Sequence, residues 1–387
     1  MSRRVYFDHS ATTPVDERVV VAMNEFMLEK FGNPSSIHSY GREVRVALEE
    51  ARESIARLLN CSPEELIFTS GGTESDNIAI IGYATHHRHR GNHLLVSNVE
   101  HPAVRQAAQE LERLGFEVGH IPADRFGEVH PEDVTAMLTD QTILVSVMQV
   151  NNEVGTINDI GAIGDLLRDR GIAFHTDAVQ GFGKVPLDVR ALAVDMASVS
   201  GHKIYAPKGI GALYLRKGIE IRPRTFGGHQ EQGLRSGTEN MPGIVGLGKA
   251  ADICRQEMAE EGQRLTLLRD ELHRLLVEEL DNLTLNGHLS HRLPGNLNLT
   301  VHGVEGEALL MALDLEGIAV STGSACSSGS TAPSPVLTAI GLSPEEAQST
   351  VRITLGRGNT MLDINYASRV MVDAVNRLRA MAGSGAA

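Results

Sequence analysis

Leu66-Ile67-Phe68-Thr69-Ser70-Gly71-Gly72-Thr73-Glu74-Ser75-Asp76-Asn77 decides the architecture. The first four residues form a buried strand, and two glycines end it in a turn. Thr73, placed as a cap, opens a helix that runs to His87. His93–Ser97 is again a strand, and 102–114 again a helix with proline in its first turn. Residues 116–121 and 142–150 continue the series as strands and 160–170 as a helix. Ala173–Asp177, Met196–Ser200 and Gly211–Leu215 complete it as strands. Strands alternating with helices over about two hundred residues predict a mainly parallel, seven-stranded sheet covered on both faces. Ligands of such sheets bind beyond the carboxyl ends of the strands, and the polar clusters of this chain fall at those ends.

The flanks complete the layout. Residues 5–7 read as a short strand, 15–30 and 41–59 as helices, and Phe31 to Ser36 as a loop. A proline-free helical stretch from Gly243 to about Leu280 leads into a second part. That part has strands at 283–285, 296–301 and 318–321 and a helix at 305–315, with an amphipathic helix at 364–381 to close it. The fold class is therefore α/β, with a large domain over 15–255. A smaller α/β domain is made of 1–14 and 256–387. Residues 383–387 are expected to be unstructured.

At 387 residues the chain is too long for one compact core, and its 42% hydrophobic and 22% charged residues are ordinary for a globular protein. The net charge of −14 argues against nucleic acid or an anionic membrane as a direct partner. Three separated cysteines, Cys61, Cys254 and Cys326, suit a reducing compartment, and no pair has metal-ligand spacing. The N-terminus carries no apolar signal core and no stretch has membrane-spanning length, so a cytoplasmic location is expected.

Lys203 lies in Ser200-Gly201-His202-Lys203, where the strand 196–200 meets a turn. Pro207 and Gly209 forbid a long helix there, so the lysine is fixed at a strand end. An amine so held can form a Schiff base with a cofactor aldehyde; a surface lysine is the bland alternative. Gly71-Gly72-Thr73 at a helix start can receive an anion or be a plain turn. His101 either lies flat over an aromatic cofactor or is a polar loop residue. Asn152 either binds a ring oxygen or shapes a turn. Asp177 ends an apolar strand, with Gln180 three residues on. Its carboxylate either keeps a pyridine nitrogen protonated or caps the next turn. Arg352, on the alternating segment Thr350 to Leu355, needs a carboxylate partner, from substrate or from a neighbour. Cys326 stands in a run of small residues, 321–330, that cannot pack and is expected to move. A thiol there can reach, react and withdraw.

Jointly and in this order, these stretches resemble the cysteine desulfurases, the NifS/IscS-like branch of fold-type I pyridoxal-phosphate (PLP) enzymes. The likeness runs from Tyr6-Phe7-Asp8-His9-Ser10-Ala11-Thr12-Thr13 to Arg352-Ile353-Thr354-Leu355-Gly356-Arg357. It implies that Lys203 carries PLP, that His101 stacks on the ring, and that Asp177 pairs with its nitrogen. Asn152 and Gln180 lie near the ring oxygen. Gly72, Thr73, Ser200 and His202 hold the phosphate, joined by Thr238 from the other subunit of a homodimer. Arg352 binds the carboxylate of L-cysteine, with Asn33 close by. Cys326 accepts the sulfur as a persulfide for an iron–sulfur scaffold protein and can transiently ligate a cluster in that complex; no resident metal is implied. His9 stands where the family more often has Asn or Tyr, with no role assigned. A selenocysteine lyase or an aminotransferase on the same fold would keep Lys203 and Asp177 but not need Cys326. A catalytically silent binding platform would need none of the three.

Overall fold

The computed structural model describes residues 3–322 and 333–384. In chain order it begins with β1 (Val5–Tyr6), α1 (Glu17–Leu28) and α2 (Ser39–Leu59). The repeating unit comes next as β2 (Leu66–Thr69), α3 (Gly72–His87), β3 (His93–Ser97), α4 (Pro102–Arg113), β4 (Glu117–Ile121), α5 (Pro131–Met137), β5 (Thr142–Ser146) and α6 (Ile160–Arg168). Then come β6 (Ala173–Asp177), β7 (Met196–Ser200) and β8 (Gly211–Leu215).

These strands form one seven-stranded sheet in the order β2-β8-β7-β6-β5-β3-β4. All neighbours are parallel except β8, which runs antiparallel to both β2 and β7. Side chains alternate across most of it, β5 departing at Ile143 and Leu144, which enter the same core. Leu95, Val145, Ala197 and Val199 enter a core shared with α1, α2 and α6, whereas Leu94, Val96, Leu144 and Met196 enter a second core under α3 and α4. Burial on both faces explains why these strands read as unbroken apolar runs. β4 is one of the two edges and carries exposed Glu117 and His120.

A long α7 (Met241–Glu279) joins this body to the rest. Its first half, with Ile244, Leu247 and Ala251, packs into the core below the sheet. Its second half, with Leu268, Leu272 and Leu276, enters a separate core. That core is built on β9 (Leu283–Asn286), β10 (Asn296–Val301), α8 (Gly306–Leu315), β11 (Ile318–Ala319), β12 (Thr350–Thr354) and α11 (Met361–Ser384), while α9 (Pro335–Ala339) and α10 (Pro344–Gln348) pack in a separate small cluster with Val99 and Val154. β12, β10 and β9 form an antiparallel sheet in that order, while β1 crosses over to pair in parallel with β11.

The structure corrects three local expectations. α3 begins one residue early, with Gly71 in the cap position, so Thr73 lies inside the first turn and does not cap it. β5 ends at Ser146, not at 150, although Val147 and Gln149 still donate backbone N–H groups to His175 and Asp177 of β6. α11 continues through Ser384, so the expected unstructured tail is helical in its first two residues. The short helices α5, α9 and α10 come in addition to the expected elements.

Candidate active site

Beyond the carboxyl ends of β6 and β7 lies a cavity of about 370 Å³. Its wall includes Gly72, Thr73, His101, Asn152, Asp177, Gln180, Ser200, His202, Lys203 and Arg352. Ten residues proposed from sequence, scattered over 280 positions, thus meet at one place. Asn33 and Thr238 are not on this wall; both are exposed. Cys326 lies outside the described residues. Sequence reasoning missed Ser10, Ala11, Asp76 and Met148, which also line the cavity. Ser10, Ala11 and Asp76 stand within the quoted motifs, but a backbone carbonyl or a helix-turn aspartate carries no signature of its own.

The sheet topology positions the amine. β7 ends at Ser200 and passes into a single 3₁₀ turn, Gly201–Lys203. Lys203 Nζ donates to the carbonyls of Ser10 (2.5 Å) and Ala11 (2.7 Å), so the N-terminal loop holds it. His202, one residue back, makes a 3.2 Å hydrogen bond to Thr12 Oγ1. Burial, then the Lys203 charge, brings its imidazole down to about 4, which keeps it neutral.

Two acids face each other under the cavity. Asp177 accepts from the Val179 N–H at 2.9 Å, the turn-capping contact expected of it. It nonetheless also faces the cavity. Asp76, on the first turns of α3, lies close enough that ligand atoms of Asp76, His101 and Asp177 sit within 4.8 Å of one another. Burial raises Asp177, opposed by the attraction of His101. Asp76 is raised further, by burial and then by the Asp177 charge. Behind them Glu100 is pushed up to about 8, mainly by burial, against hydrogen bonds from Ser97 Oγ (2.6 Å) and Met148 N (2.7 Å). His175, 3.6 Å from Asp76, is no counter-charge, because complete burial takes it down to about 3. His101 itself caps α4: its Nδ1 accepts from the Ala103 N–H at 3.1 Å, which fixes the ring and leaves Nε2 as its other polar atom.

At the opposite wall Arg352, buried on β12, is clamped by Asp8 Oδ1 (2.8 Å) and the carbonyl of Asn152 (3.0 Å). The carboxylate partner that its setting demanded is thus Asp8 in this structure, with the guanidinium still on the cavity wall. His9 packs away from the cavity against Gly356 and Tyr6 and is brought down to about 4 by burial.

The wall fits PLP on its own terms. α3 starts at Gly71 and Gly72 without a side-chain cap, which leaves its first-turn N–H groups for an anion such as a phosphate. A Cβ on Gly72 would lie 2.6 Å from Val179 Cγ2, so only glycine allows this close passage. Asn152 Oδ1 and Asp76 Oδ1 are buried with no hydrogen-bond partner in the protein, which suits a polar ring placed between them. A buried carboxylate pair with a fixed imidazole above it suits a protonated heterocycle.

A doubly covered, mainly parallel sheet with a turn-held lysine beyond its carboxyl edge is the architecture of the fold-type I PLP enzymes. The chain belongs to the class-V aminotransferase family, whose model matches residues 5–366. It is 50% identical over 379 residues to the cysteine desulfurase IscS of Dictyoglomus turgidum, covering 98% of this chain and 96% of that one. It is 47% identical over 376 residues to the cysteine desulfurase IscS 1 of Archaeoglobus fulgidus, with 97% and 98% covered. Among solved structures it superposes on a NifS-like protein at a TM-score of 0.91 and 37% identity, covering 97% and 100% of the chains. A NifS-like protein from Rickettsia africae gives 0.86 at 31% identity, with 97% and 99% covered.

Proposed function

We propose that the chain is a PLP-dependent cysteine desulfurase, converting L-cysteine to L-alanine and passing the sulfur to an acceptor. The observation that carries this reading is the convergence of Lys203, Asp177, His101 and Arg352 on one cavity. When bound, PLP supplies an aldehyde for the substrate amine and a ring that withdraws electrons from its Cα.

The residues divide the work. Lys203 would hold the cofactor, and its Nζ would receive the substrate Cα proton; the Ser10 and Ala11 carbonyls mark where that amine is kept. Asp177 faces the ring nitrogen, and a cation there reverses the upward push that burial exerts on its carboxyl. His101, fixed through Nδ1, covers the ring face. Gly72, Thr73, Ser200 and His202 hold the phosphate, while Asn152 and Gln180 serve the ring oxygen. Arg352, held by Asp8 and Asn152, receives the substrate carboxylate. The Cys326 thiolate then attacks the substrate sulfur. A sulfur–sulfur bond forms as the carbon–sulfur bond breaks, and the thiol proton ends on alanine, leaving a persulfide.

Further parts of this reading concern surroundings. The large domain spans 15–255, and the small one comprises 1–14 with 256–387; two apolar cores bridged by α7 support the division. The working form is a homodimer, in which Thr238 reaches the partner's phosphate site and Asn33 approaches a substrate. Exposed Thr238 and Asn33, with Phe31, Ile37 and Phe226 also exposed, support it. The acceptor is an iron–sulfur scaffold protein and the compartment the cytoplasm. Cys61 and Cys254 are free thiols, as a reducing compartment keeps them, and among the described residues no helix is long and apolar enough to cross a membrane.

Peptide mass spectrometry after mixing the PLP-loaded enzyme with L-cysteine, without reductant, tests the reading. Alanine should appear together with a gain of one sulfur, about 32 Da, on the Cys326 peptide. Cys326→Ala should keep the cofactor's absorption and lose desulfuration. Undiminished alanine from that variant would favour a lyase that needs no acceptor thiol.

A further inference from the structure

A lysine unused by the chemistry above lies directly behind the cavity wall. Lys184 follows Gly183, which has a φ of +70° and where a Cβ would lie 2.9 Å from Cys254 Sγ, so only glycine lets this loop pack so closely on α7. Its Nζ meets Gln180 Oε1 at 3.2 Å. The other end of that amide, Nε2, donates to the Ser10 carbonyl at 2.9 Å. The same carbonyl receives the Lys203 amine at 2.5 Å. A chain of three contacts therefore joins the half-buried Lys184 to the amine that does the chemistry.

The donor pattern gives this chain a direction. The Ser10 carbonyl can only accept, so it demands the Gln180 –NH₂ on its side, and the Lys184 amine, donating to the oxygen at the other end, holds the same orientation. Its oxygen points back to Lys184 and its –NH₂ points to the cavity side. One N–H is spent on Ser10, and the second is suited to an anionic ring oxygen. A reversed amide would set two oxygens against each other at Ser10 and offer an acceptor where a donor is needed.

We propose that Lys184 is a positioning residue for the reaction, orienting the Gln180 amide so that a donor faces the cofactor and Ser10. This rests on the PLP-dependent reading above. The surroundings agree. Lys184 shares a small cavity of about 50 Å³ with His9, Tyr205, Cys254, Glu261 and Arg357. Burial, and then the Lys203 charge, brings its amine down to about 7, with Cys254 and Arg352 as the remaining influences. A structural lysine would gain more from a facing carboxylate, and among the described residues no ion pair involves Lys184.

The test uses the full-length, PLP-loaded protein and reads the pH midpoint of the cofactor's visible absorption change. In Lys184→Met the Gln180 amide loses the anchor on its oxygen and can swing about Ser10, so a phenolate-like ring oxygen loses a well-placed donor and the imine holds its proton more tightly. The midpoint should rise by about one unit, a tenfold change in proton affinity. Lys184→Arg, which restores a donor, should bring it back toward the wild-type value. A folded Lys184→Met holoenzyme with the wild-type midpoint would overturn the proposal. Should Lys184→Met fail to fold, Gln180→Ala probes the same link from its other end, with the same upward shift expected and no shift again overturning it. A wild-type protein that takes up no PLP on Lys203 would instead defeat the functional reading itself.

Discussion

Two groups of buried charge lie on the large sheet, one at its β2 edge and one at the carboxyl end of its central strands, and they are treated differently. At its β2 edge, Arg52 meets Glu231 through two contacts of 2.7 and 3.0 Å and also donates to the Leu66 carbonyl at 2.8 Å. Glu231 in turn accepts from Phe68 N at 2.7 Å, and the guanidinium lies over the Phe68 ring. Glu231 adopts a left-handed φ of 46° to complete this set, a conformation that a bulky residue rarely takes. Every strong group there has a partner. Under the cavity, by contrast, Asp76, Glu100 and Asp177 crowd together. Asp76 Oδ1 and Glu100 Oε2 have no hydrogen-bond partner, and the nearby His175 is neutral. A satisfied buried pair is scaffold; an unsatisfied acidic group on a cavity awaits a ligand of opposite character.

The sharpest separation of the two regions comes from Lys203→Ala. It should abolish turnover, by about a thousandfold or more, and leave no cofactor covalently attached in the intact mass. The melting temperature of the cofactor-free protein should move little, because Lys203 serves the cavity rather than the core. A large loss of stability would mean that the cavity residues are scaffold too. Arg52→Met makes the opposite cut. It strands the Glu231 carboxylate in the interior and should cost about 3–5 kcal/mol by urea denaturation, with activity per folded molecule retained. Adding Glu231→Gln should recover part of that loss. Equal stability of Arg52→Met and wild type would erase the contrast.

Much of this is legible in the residues, and the parts that are not share a cause. The strands of the large sheet can be read because both faces are buried and each is a short apolar run between turn signals. Lys203, Asp177 and His101 can be placed because each ends or follows such a strand. The α3 start is harder to read because Thr73 looks like a cap, whereas Gly71 and Gly72 leave the position bare for close approach. The Asp8–Arg352 pair and the Lys184–Gln180–Ser10 link are invisible in the sequence, since residues 344 and 170 positions apart meet only once the small sheet folds back on the N-terminal loop. Long-range polar partners carry no period and no motif, so only the fold brings them together.

The smallest effect expected, and the finest test of the contrast, is the pH response of Glu100. Its carboxyl is raised from 4.5 to about 8, chiefly by burial and partly by Asp177. Between those values the native state holds a proton that the unfolded chain has lost, so this group's contribution to stability falls as pH rises. The slope is at most about 1.4 kcal/mol per pH unit. Glu100→Gln keeps an oxygen for Ser97 and Met148 but has no proton to lose. In the cofactor-free protein the two should match near pH 4, to within about 0.5 kcal/mol, and diverge toward pH 8 with the variant more stable. Urea midpoints across that range decide it. A constant difference would mean that Glu100 is ionised throughout and already has its counter-charge, so that the acidic cluster belongs with the Arg52–Glu231 pair. With PLP bound, a cation beside Asp177 should shrink the divergence, because the like charge that helps hold Glu100 protonated is then neutralised.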